Sequence, residues 1–327
     1  MERVARFSAR ERSELFSESA NQKGTTPAIV EKDFWVTWVL NRLFQQPDLA
    51  RLLMFKGGTS LSKVYHLIER FSEDIDLVLD WRVLIGEDPL AERSKTKQAQ
   101  FNRALNEQAQ QYIGGELLSL VEEALNGGNV GGDDPHIINI NYPAAFSDDY
   151  LRPEVLLEIG PLASWLPYEE RRISCYAADA FPEVFEQPEC MVRVIKAERT
   201  FWERATILHH EAHRPEGNLQ PPRYSRHYYD LVKMAQSPVK ENALADTALL
   251  ASVVKFKKRF YPRGWARYDL AQPGTFKLVP KEHVLASVRS DYGAMENMIF
   301  GELPEFEEIL AVLQGLQDEI NNTPESA

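Results

Sequence analysis

Two aspartates at alternate positions, Asp74 and Asp76, are the residues of this sequence best suited to chemistry. They lie in an apolar stretch, and the alternation of side chains along a strand would bring both carboxylates onto one face. Like charges side by side repel each other, so a bound cation would stabilise the pair. Mg²⁺ takes carboxylate oxygens as ligands while it also holds substrate phosphates. The pair therefore predicts a site for Mg²⁺ (or Mn²⁺).

A glycine turn precedes the aspartates by about one short helix. Gly57 and Gly58 follow a strand-like apolar stretch, and glycines permit a positive φ and leave the backbone open to a ligand. Thr59 and Ser60 are expected to cap the next helix, whose free N–H groups would bind a phosphate. Each motif alone is common, as a tight turn or a solvated strand end, but their combination is not. The predicted helix carries apolar residues at Leu61, Val64, Tyr65 and Ile68.

The elements that must position these residues divide the sequence into two parts. Residues 1–190 mix predicted strands and helices, whereas residues 191–327 have mainly helical periodicity. Ser8 and Glu11 form a predicted capping box at the first helix. Strands are predicted at residues 52–55, 73–79, 136–142, 154–160 and 173–178. Helices are predicted at residues 28–44, 88–126 (interrupted at Gly114-Gly115), 196–213, 227–235, 242–260, 282–298 and 304–321.

The composition predicts a soluble protein of the reducing cytoplasm. The chain has 327 residues, of which 44% are hydrophobic, and no apolar run long enough to span a membrane. Its start lacks the apolar core of a signal peptide. Two cysteines are too few for a disulfide framework or a zinc cage. A net charge of −12 argues against a general nucleic-acid-coating protein, and DNA is not expected as a partner, but a local basic patch could still bind a nucleic-acid substrate.

The stretch 55–80 resembles the Gly-Gly-[Ser/Thr] … Asp-x-Asp signature of the DNA polymerase β-like nucleotidyltransferases. Its fuller wording, Phe-Lys-Gly-Gly-Thr-Ser-Leu followed by Arg-Phe-Ser-Glu-Asp-Ile-Asp-Leu, is similar to that of the AbiEii/AbiGii-type toxins, which include the MenT toxins. The resemblance implies an α/β (α+β) fold. A polymerase β-like nucleotidyltransferase domain with a mixed sheet would occupy residues 1–190. A helical domain over residues 191–327 would close the active-site cleft.

The resemblance also implies an enzyme that transfers NMP from an NTP to an RNA acceptor, which in the MenT toxins is a tRNA 3′ end. It implies Mg²⁺ (or Mn²⁺) as cofactor and NTP as substrate. It further implies a toxin of a type IV, abortive-infection (phage-defence) system, with a cognate antitoxin encoded nearby that need not bind the toxin. Two alternatives stay open. One is a nucleotidyltransferase that modifies a protein or a small molecule, and the other is a catalytically silent nucleotide-binding regulator, against which the intact Asp74 and Asp76 argue.

A third carboxylate, Glu158, lies in a predicted strand that is otherwise apolar. Burying an unpaired carboxylate is costly, and the resemblance implies a third metal ligand on the strand beside the Asp-x-Asp strand. We therefore expect Glu158 to join Asp74 and Asp76 at the metal; the alternative is a glutamate at a sheet edge. The residues expected at the nucleotide are Lys56, Gly57, Gly58, Thr59, Ser60 and Arg199.

The resemblance adds two catalytic residues from the second part, Lys196 and Asp230, to Asp74 and Asp76. Lys196 matches a lysine that reaches the nucleotide phosphates, and we expect it opposite Gly58 in the cleft. Asp230 lies four residues after Arg226 on a predicted helix and would be held by that arginine. It would then orient Lys196 or act as a general base. The alternatives are an ordinary surface lysine and an ordinary helical salt bridge.

The basic stretch 255–267 interleaves cations with aromatic residues in an otherwise acidic chain. Such a stretch suits a single-stranded RNA end, through phosphate contacts and base stacking. The alternative is a helix end whose lysines reach solvent. The expected RNA-binding residues are Lys255, Lys257, Lys258, Arg259 and Arg263.

Three histidines within residues 209–213 raise the question of zinc. Their spacing does not match the His-Glu-x-x-His motif of zinc proteases. A solvated helix terminus is favoured there over a metal site.

Overall fold

The chain forms two units in the computed structural model, and the second is discontinuous in sequence. The first unit contains Met1–Val64 and Phe71–Ile195, and the second contains Tyr65–Arg70 and Lys196–Ala327. The structure describes residues 1–72, 74–127, 130–132, 134–148, 151–161, 164–300 and 303–323. The boundary after residue 190 stays a prediction. Residues 65–70, however, belong with the second unit, because Arg70 is buried there against Asp230.

A mixed sheet lies at the centre of the first unit. Its strands are β1 (Leu53–Lys56), β2 (Ile75–Leu79), β3 (Val130–Gly131), β4 (Ile137–Asn141), β5 (Glu154–Gly160), β6 (Tyr168–Ser174) and β7 (Glu189–Ile195). Among the described residues the strand order is β3-β4-β5-β2-β1-β7-β6. The β1–β7 and β2–β5 pairs are parallel, and the other neighbours are antiparallel. The predicted α/β fold with a mixed sheet is confirmed.

Two strands at one side of this sheet differ from the prediction. The strand expected over residues 173–178 ends at Ser174, and Tyr176–Ala180 form a helix instead. The strand β7 has no counterpart in the prediction. Its residues alternate between buried and exposed only over a short stretch, and a helix begins almost directly after it, so the strand pattern is weak. Its partner β1 lies far earlier in the sequence, so no local pattern reveals the pairing.

The helices of the first unit start with the predicted capping box, which is confirmed. The Ser8 hydroxyl accepts a hydrogen bond from the Glu11 amide (3.3 Å), and the Glu11 carboxylate accepts one from the Ser8 amide (2.8 Å). The Gly114-Gly115 interruption is a π-helical turn over Ile113–Leu117. The helices are α1 (Glu2–Ala5), α2 (Ala9–Lys23), α3 (Pro27–Gln45), α4 (Pro47–Leu52), α5 (Gly57–Lys63), α6 (Lys95–Tyr112), α7 (Leu118–Ala124) and α8 (Tyr176–Ala180).

Helix α3 packs against β5 and β7 and supplies much of the core of the first unit. Phe34 is fully buried, and burial of a side chain of this size stabilises the fold by about 1.5–3 kcal/mol. The charged start of α3 is buried too. Asp33 forms an ion pair with Lys63 and accepts a hydrogen bond from the Tyr176 amide (2.8 Å). Asp33 therefore fixes the end of α5, the helix that follows the glycine turn.

Helices dominate the described part of the second unit, as predicted. The helix expected over residues 242–260 is divided in two, because the Asp246 side chain caps a new helix by accepting from the Leu249 amide (2.9 Å). The helices are α9 (Ala197–Glu211), α10 (Ser225–Ala235), α11 (Val239–Ala245), α12 (Thr247–Phe260), α13 (Glu282–Gly293) and α14 (Phe306–Asn322). No helix in the described ranges combines the length and apolar character that crossing a membrane requires.

Candidate functional site

The turn from β1 into α5 places the backbone of Gly57 against the carboxylate of Asp76. Gly57 has a φ of +81°, in the left-handed region that side chains disfavour. A Cβ added to Gly57 would overlap the Asp76 carboxylate and lie 2.8 Å from the Asp76 Cβ. Glycine is therefore required at this position for two reasons, the backbone conformation and the approach of Asp76.

Three charged residues, Lys56, Asp76 and Glu158, form a row across three neighbouring strands. Lys56 lies opposite Asp76 in the β1–β2 register, and Asp76 lies opposite Glu158 in the β2–β5 register. Residues paired in this way project from the same face of a sheet, and neighbouring strands are about 4.8 Å apart. Lys56 and Asp76 are half-buried, and Glu158 is exposed. The row thus presents one cation and two carboxylates beside the glycine turn.

Asp74 lies one residue before β2, so only Asp76 of the predicted pair is a strand residue. The backbone at Asp74 is held by α5, because the Thr59 hydroxyl donates to the Asp74 carbonyl. The same hydroxyl lies 3.0 Å from the Ser72 hydroxyl. Thr59 therefore connects the helix after the glycine turn to the start of the acidic stretch.

Thr59 and Ser60 are not helix caps, and this prediction is wrong. Because α5 begins at Gly57, directly after β1, both residues lie inside its first turn, and Lys56 occupies the N-cap without a side-chain hydrogen bond. Ser60 donates to the Gly57 carbonyl (2.8 Å), and both hydroxyl side chains are buried.

The helix that carries them is also shorter than predicted. It ends at Lys63, and the residues that follow, Tyr65–Arg70, belong to the second unit. The expected roles of Lys56, Gly58, Thr59 and Ser60 at a nucleotide stay predictions.

Glu158 is exposed, whereas its selection as a metal ligand assumed that it is buried. The alternative of a sheet-edge glutamate is wrong as well, because β5 lies between β2 and β4. Asp76 and Glu158 are adjacent, and proteins commonly hold Mg²⁺ through one or two carboxylates together with substrate phosphates. The pair therefore fits a divalent cation. Across the described ranges, no group of three or more His, Cys, Asp or Glu residues is arranged to bind a metal, so the three-carboxylate set with Asp74 stays a prediction.

Lys196 is the N-cap residue of α9 rather than a residue of the helix itself. It is half-buried and directly follows β7, and its carbonyl accepts from the Arg199 amide (3.1 Å). Arg199 is buried, donates to the Glu203 carboxylate (3.0 Å) and lies over the Phe256 ring. Through these contacts Arg199 contributes to the packing of α9 against α12 in the second unit. The expected roles of Lys196 and Arg199 at the nucleotide stay predictions.

Asp230 is held by Arg70 and Arg204. The prediction that Arg226 holds it is wrong. Arg70 donates to both carboxylate oxygens of Asp230 (2.7 and 2.9 Å), and Arg204 lies 3.2 Å from one of them. Asp230 is fully buried, whereas Arg226 is exposed at the start of α10. The buried face of α10 thus carries Asp230 towards arginines from other segments.

The charges around Asp230 keep it ionised. Burial alone would raise its pKa, but the guanidinium groups of Arg70 and Arg204 outweigh burial and hold the pKa below its usual value. A carboxylate with both oxygens engaged by guanidinium groups and no exposure is poorly suited to accept a proton. These contacts favour a positioning role for Asp230 over that of a general base.

Arg70 and Arg204 are the residues around Asp230 that the sequence did not reveal. Arg70 begins the Arg-Phe-Ser-Glu-Asp-Ile-Asp-Leu stretch of the resemblance, but that stretch does not indicate its partner. It is 160 residues from Asp230, and no spacing pattern connects positions so far apart.

The basic stretch 255–267 spans the end of α12 and the loop after it. Phe260 is buried, Lys255, Lys258 and Arg263 are exposed, and Lys257 and Arg259 are half-buried. The Tyr261 ring is 43% exposed, with the Lys257 ammonium 5.5 Å from its centroid. An accessible aromatic ring among cations is compatible with both interpretations of the stretch, so RNA binding here stays a prediction.

His209 and His210, at the end of α9, are buried and His213 is half-buried, so the predicted solvated terminus is wrong. His209 Nδ1 accepts from the Lys277 amide (3.1 Å), and its Nε2 donates to the Arg267 carbonyl (3.0 Å). Burial lowers the pKa of His209 to about 4. His210 contacts the Glu211 carboxylate (2.7 Å), which Arg214 also binds. Both ring nitrogens of His209 thus form hydrogen bonds with protein groups, which explains this buried histidine without a zinc ion.

Comparisons with known proteins agree with the resemblance seen at residues 55–80. The chain is similar to MenT4, a nucleotidyltransferase toxin from Mycobacterium tuberculosis H37Rv, with a TM-score of 0.53 and 15% sequence identity over 96% of this chain and 90% of that one. At this identity the likeness concerns the fold. No curated protein sequence matches significantly. The family model of the nucleotidyl transferase AbiEii toxins of type IV toxin–antitoxin systems matches residues 38–312. The chain therefore belongs to the AbiEii family of nucleotidyltransferase toxins.

Proposed function

We propose that this toxin transfers NMP from an NTP to an RNA acceptor, a tRNA 3′ end in particular, with Mg²⁺ (or Mn²⁺) as cofactor. The observation that carries the proposal is the row of Lys56, Asp76 and Glu158 beside Gly57. It places two adjacent carboxylates next to a glycine turn that has no side chain of its own. Two carboxylates beside an open turn suit Mg²⁺ that is held by one or two carboxylates together with substrate phosphates.

In this proposal the chain's own residues bind and orient the nucleotide. Asp76, Glu158 and Asp74 would hold the metal, and the Gly57-Gly58 turn would receive the triphosphate. When bound, the metal stabilises negative charge on the transferring and departing phosphates. Lys56 would neutralise phosphate charge that the metal leaves, since a compact ammonium acts as a point charge. The resemblance implies the same role for Lys196.

The acceptor is proposed to be RNA on the evidence of the basic stretch. Lys255, Lys258 and Arg263 are exposed near the accessible Tyr261 ring, which suits phosphate contacts and base stacking. We further propose that the toxin acts in the cytoplasm and that a cognate antitoxin encoded nearby controls it, as in other toxin–antitoxin pairs.

The test is incubation of the protein with each labelled NTP and Mg²⁺, in the presence of total RNA and of total protein. We expect label in small RNA with the wild type, none with Asp76→Asn, and full labelling with the control Glu154→Gln. Glu154 lies on the same strand as Glu158, where it pairs with Arg152 instead of Asp76. Label in protein or in a small molecule would overturn the RNA acceptor, and no label anywhere would overturn nucleotidyl transfer.

A further inference from the structure

We infer that Arg70 and Asp230 are positioning residues, whose ion pair anchors the start of the segment that carries Asp74 and Asp76. The assignment of a function to those aspartates rests on the proposed nucleotidyl transfer. The inference itself concerns how the segment is held. It gives Asp230 a role through Arg70 rather than through contact with a substrate.

The ion pair is buried and bidentate. Arg70 is 3% exposed and Asp230 fully buried, and two hydrogen bonds of 2.7 and 2.9 Å join them in the bidentate geometry that fixes a guanidinium in one plane. Removal of Asp230 would take from the buried Arg70 its bidentate partner, which is costly for a charge held away from water. The pair therefore allows little displacement of Arg70.

A second guanidinium and a neutral histidine lie beside the pair. Arg204 reaches Asp230 at 3.2 Å and donates to His227 Nδ1 at 2.8 Å. His227 accepts this bond only when Nδ1 carries no proton, and burial together with Arg204 holds its pKa well below the usual value. Arg226, Arg70 and Lys257 add weaker repulsion to a charged His227. The cluster therefore keeps one charge state around neutral pH.

The backbone beside Arg70 is held by the same helix. The Glu69 amide donates to the Tyr229 hydroxyl (3.3 Å), and the Glu69 carboxylate pairs with Lys233 (2.8 Å). The Glu69 carbonyl accepts from the Phe300 amide (2.6 Å). Helix α10 thus holds Glu69 and Arg70 through three of its side chains, those of Tyr229, Asp230 and Lys233.

The other end of the segment is held by Thr59, which binds the Asp74 carbonyl and contacts Ser72. Only four peptide units separate Arg70 from Asp74, and a chain of that length extends over at most about 14 Å. A displacement of Arg70 would therefore be transmitted to Asp74 through only four peptide units. A misplacement of about 1 Å in reacting groups can lower a rate by about 100-fold.

Hydrogen exchange tests the anchor without any need for enzymatic activity. The variant Asp230→Asn is compared with Glu211→Gln, which weakens another buried carboxylate held bidentately by an arginine, Arg214, in the same unit. We expect Asp230→Asn to speed exchange across residues 71–79 by about tenfold or more, a local opening within the range that exchange resolves. Glu211→Gln should speed exchange only near residues 205–214. Equal exchange over 71–79 in both variants would overturn the inference.

A double-mutant cycle on nucleotide transfer then separates positioning from direct participation. Arg70→Met, Asp230→Asn and the double variant are compared at a temperature where all three remain folded. If Asp230 acts only through Arg70, the double variant should be no slower than the slower single variant. Rate losses that multiply would show that Asp230 acts independently and would overturn the inference. Complete absence of transfer in the wild type would instead count against the proposed function, with the exchange result still decisive for the anchor.

Discussion

The close approach of Gly57 to Asp76 makes Gly57→Ala the most informative substitution. Its cost has two parts. An alanine at a positive φ costs about 1–2 kcal/mol. The added methyl group would also overlap the Asp76 carboxylate, and forced repacking of this kind costs about 1–3 kcal/mol. Together we expect a loss of about 2–5 kcal/mol in the free energy of unfolding, the sum of these two ranges.

Gly24→Ala is the matched control, because Gly24 has a similar φ of +72° and nothing within 4 Å of an added Cβ. The free energy of unfolding of Gly24→Ala should fall only by the cost of an alanine at a positive φ. Both variants are compared by urea unfolding and by nucleotide transfer at a temperature where both are folded. Gly57→Ala should lose about 1–3 kcal/mol more than Gly24→Ala and about 100-fold or more in transfer rate, since Asp76 must move.

The collision itself can be tested in the background of Asp76→Ala. That change removes the carboxylate, so the extra stability cost of Gly57→Ala over Gly24→Ala should shrink. Equal losses in Gly57→Ala and Gly24→Ala in the original background would refute the placement of Asp76 against Gly57.

Three further predictions follow from the site and its surroundings. Asp74→Ala and Asp76→Ala should abolish transfer and growth inhibition with an intact fold by circular dichroism; persistent toxicity in the double variant would contradict an enzymatic toxin. Lys196→Ala should lower transfer far more than stability, since a half-buried lysine contributes little to the fold; an unchanged KM for NTP and unchanged kcat would count against its phosphate role. Burial keeps His209 neutral and lowers its pKa to about 4, against 6.5 in the unfolded chain. Its contribution to the free energy of unfolding should therefore be fully present above pH 6.5. That contribution should fall by up to about 1.4 kcal/mol per pH unit as the pH drops towards 4. His209→Asn should flatten that slope in denaturant titrations, and an unchanged slope would contradict the assignment.

The sequence by itself determined the features that depend on neighbouring residues. The glycine turn, the hydroxyl residues and the aspartates lie within residues 55–80, and their order was sufficient to indicate the family, which the match over residues 38–312 confirms. The capping box of Ser8 and Glu11 and the helices of the second part are local as well. A capping box requires a spacing of only three residues. The strand and helix patterns predicted the α/β fold class and the resemblance implied a mixed sheet, and both are confirmed.

Only the tertiary structure decided which distant residues meet. Sequence spacing paired Asp230 with Arg226, but the carboxylate binds Arg70, 160 residues away. Glu158 seemed buried because its neighbours are apolar, yet its face of the sheet is accessible. His209 and His210 seemed solvated because their stretch is polar, yet both are buried against residues 265–277. In each case the sequence shows a side chain's chemistry, whereas its partner and exposure depend on segments that come together only when the chain has folded.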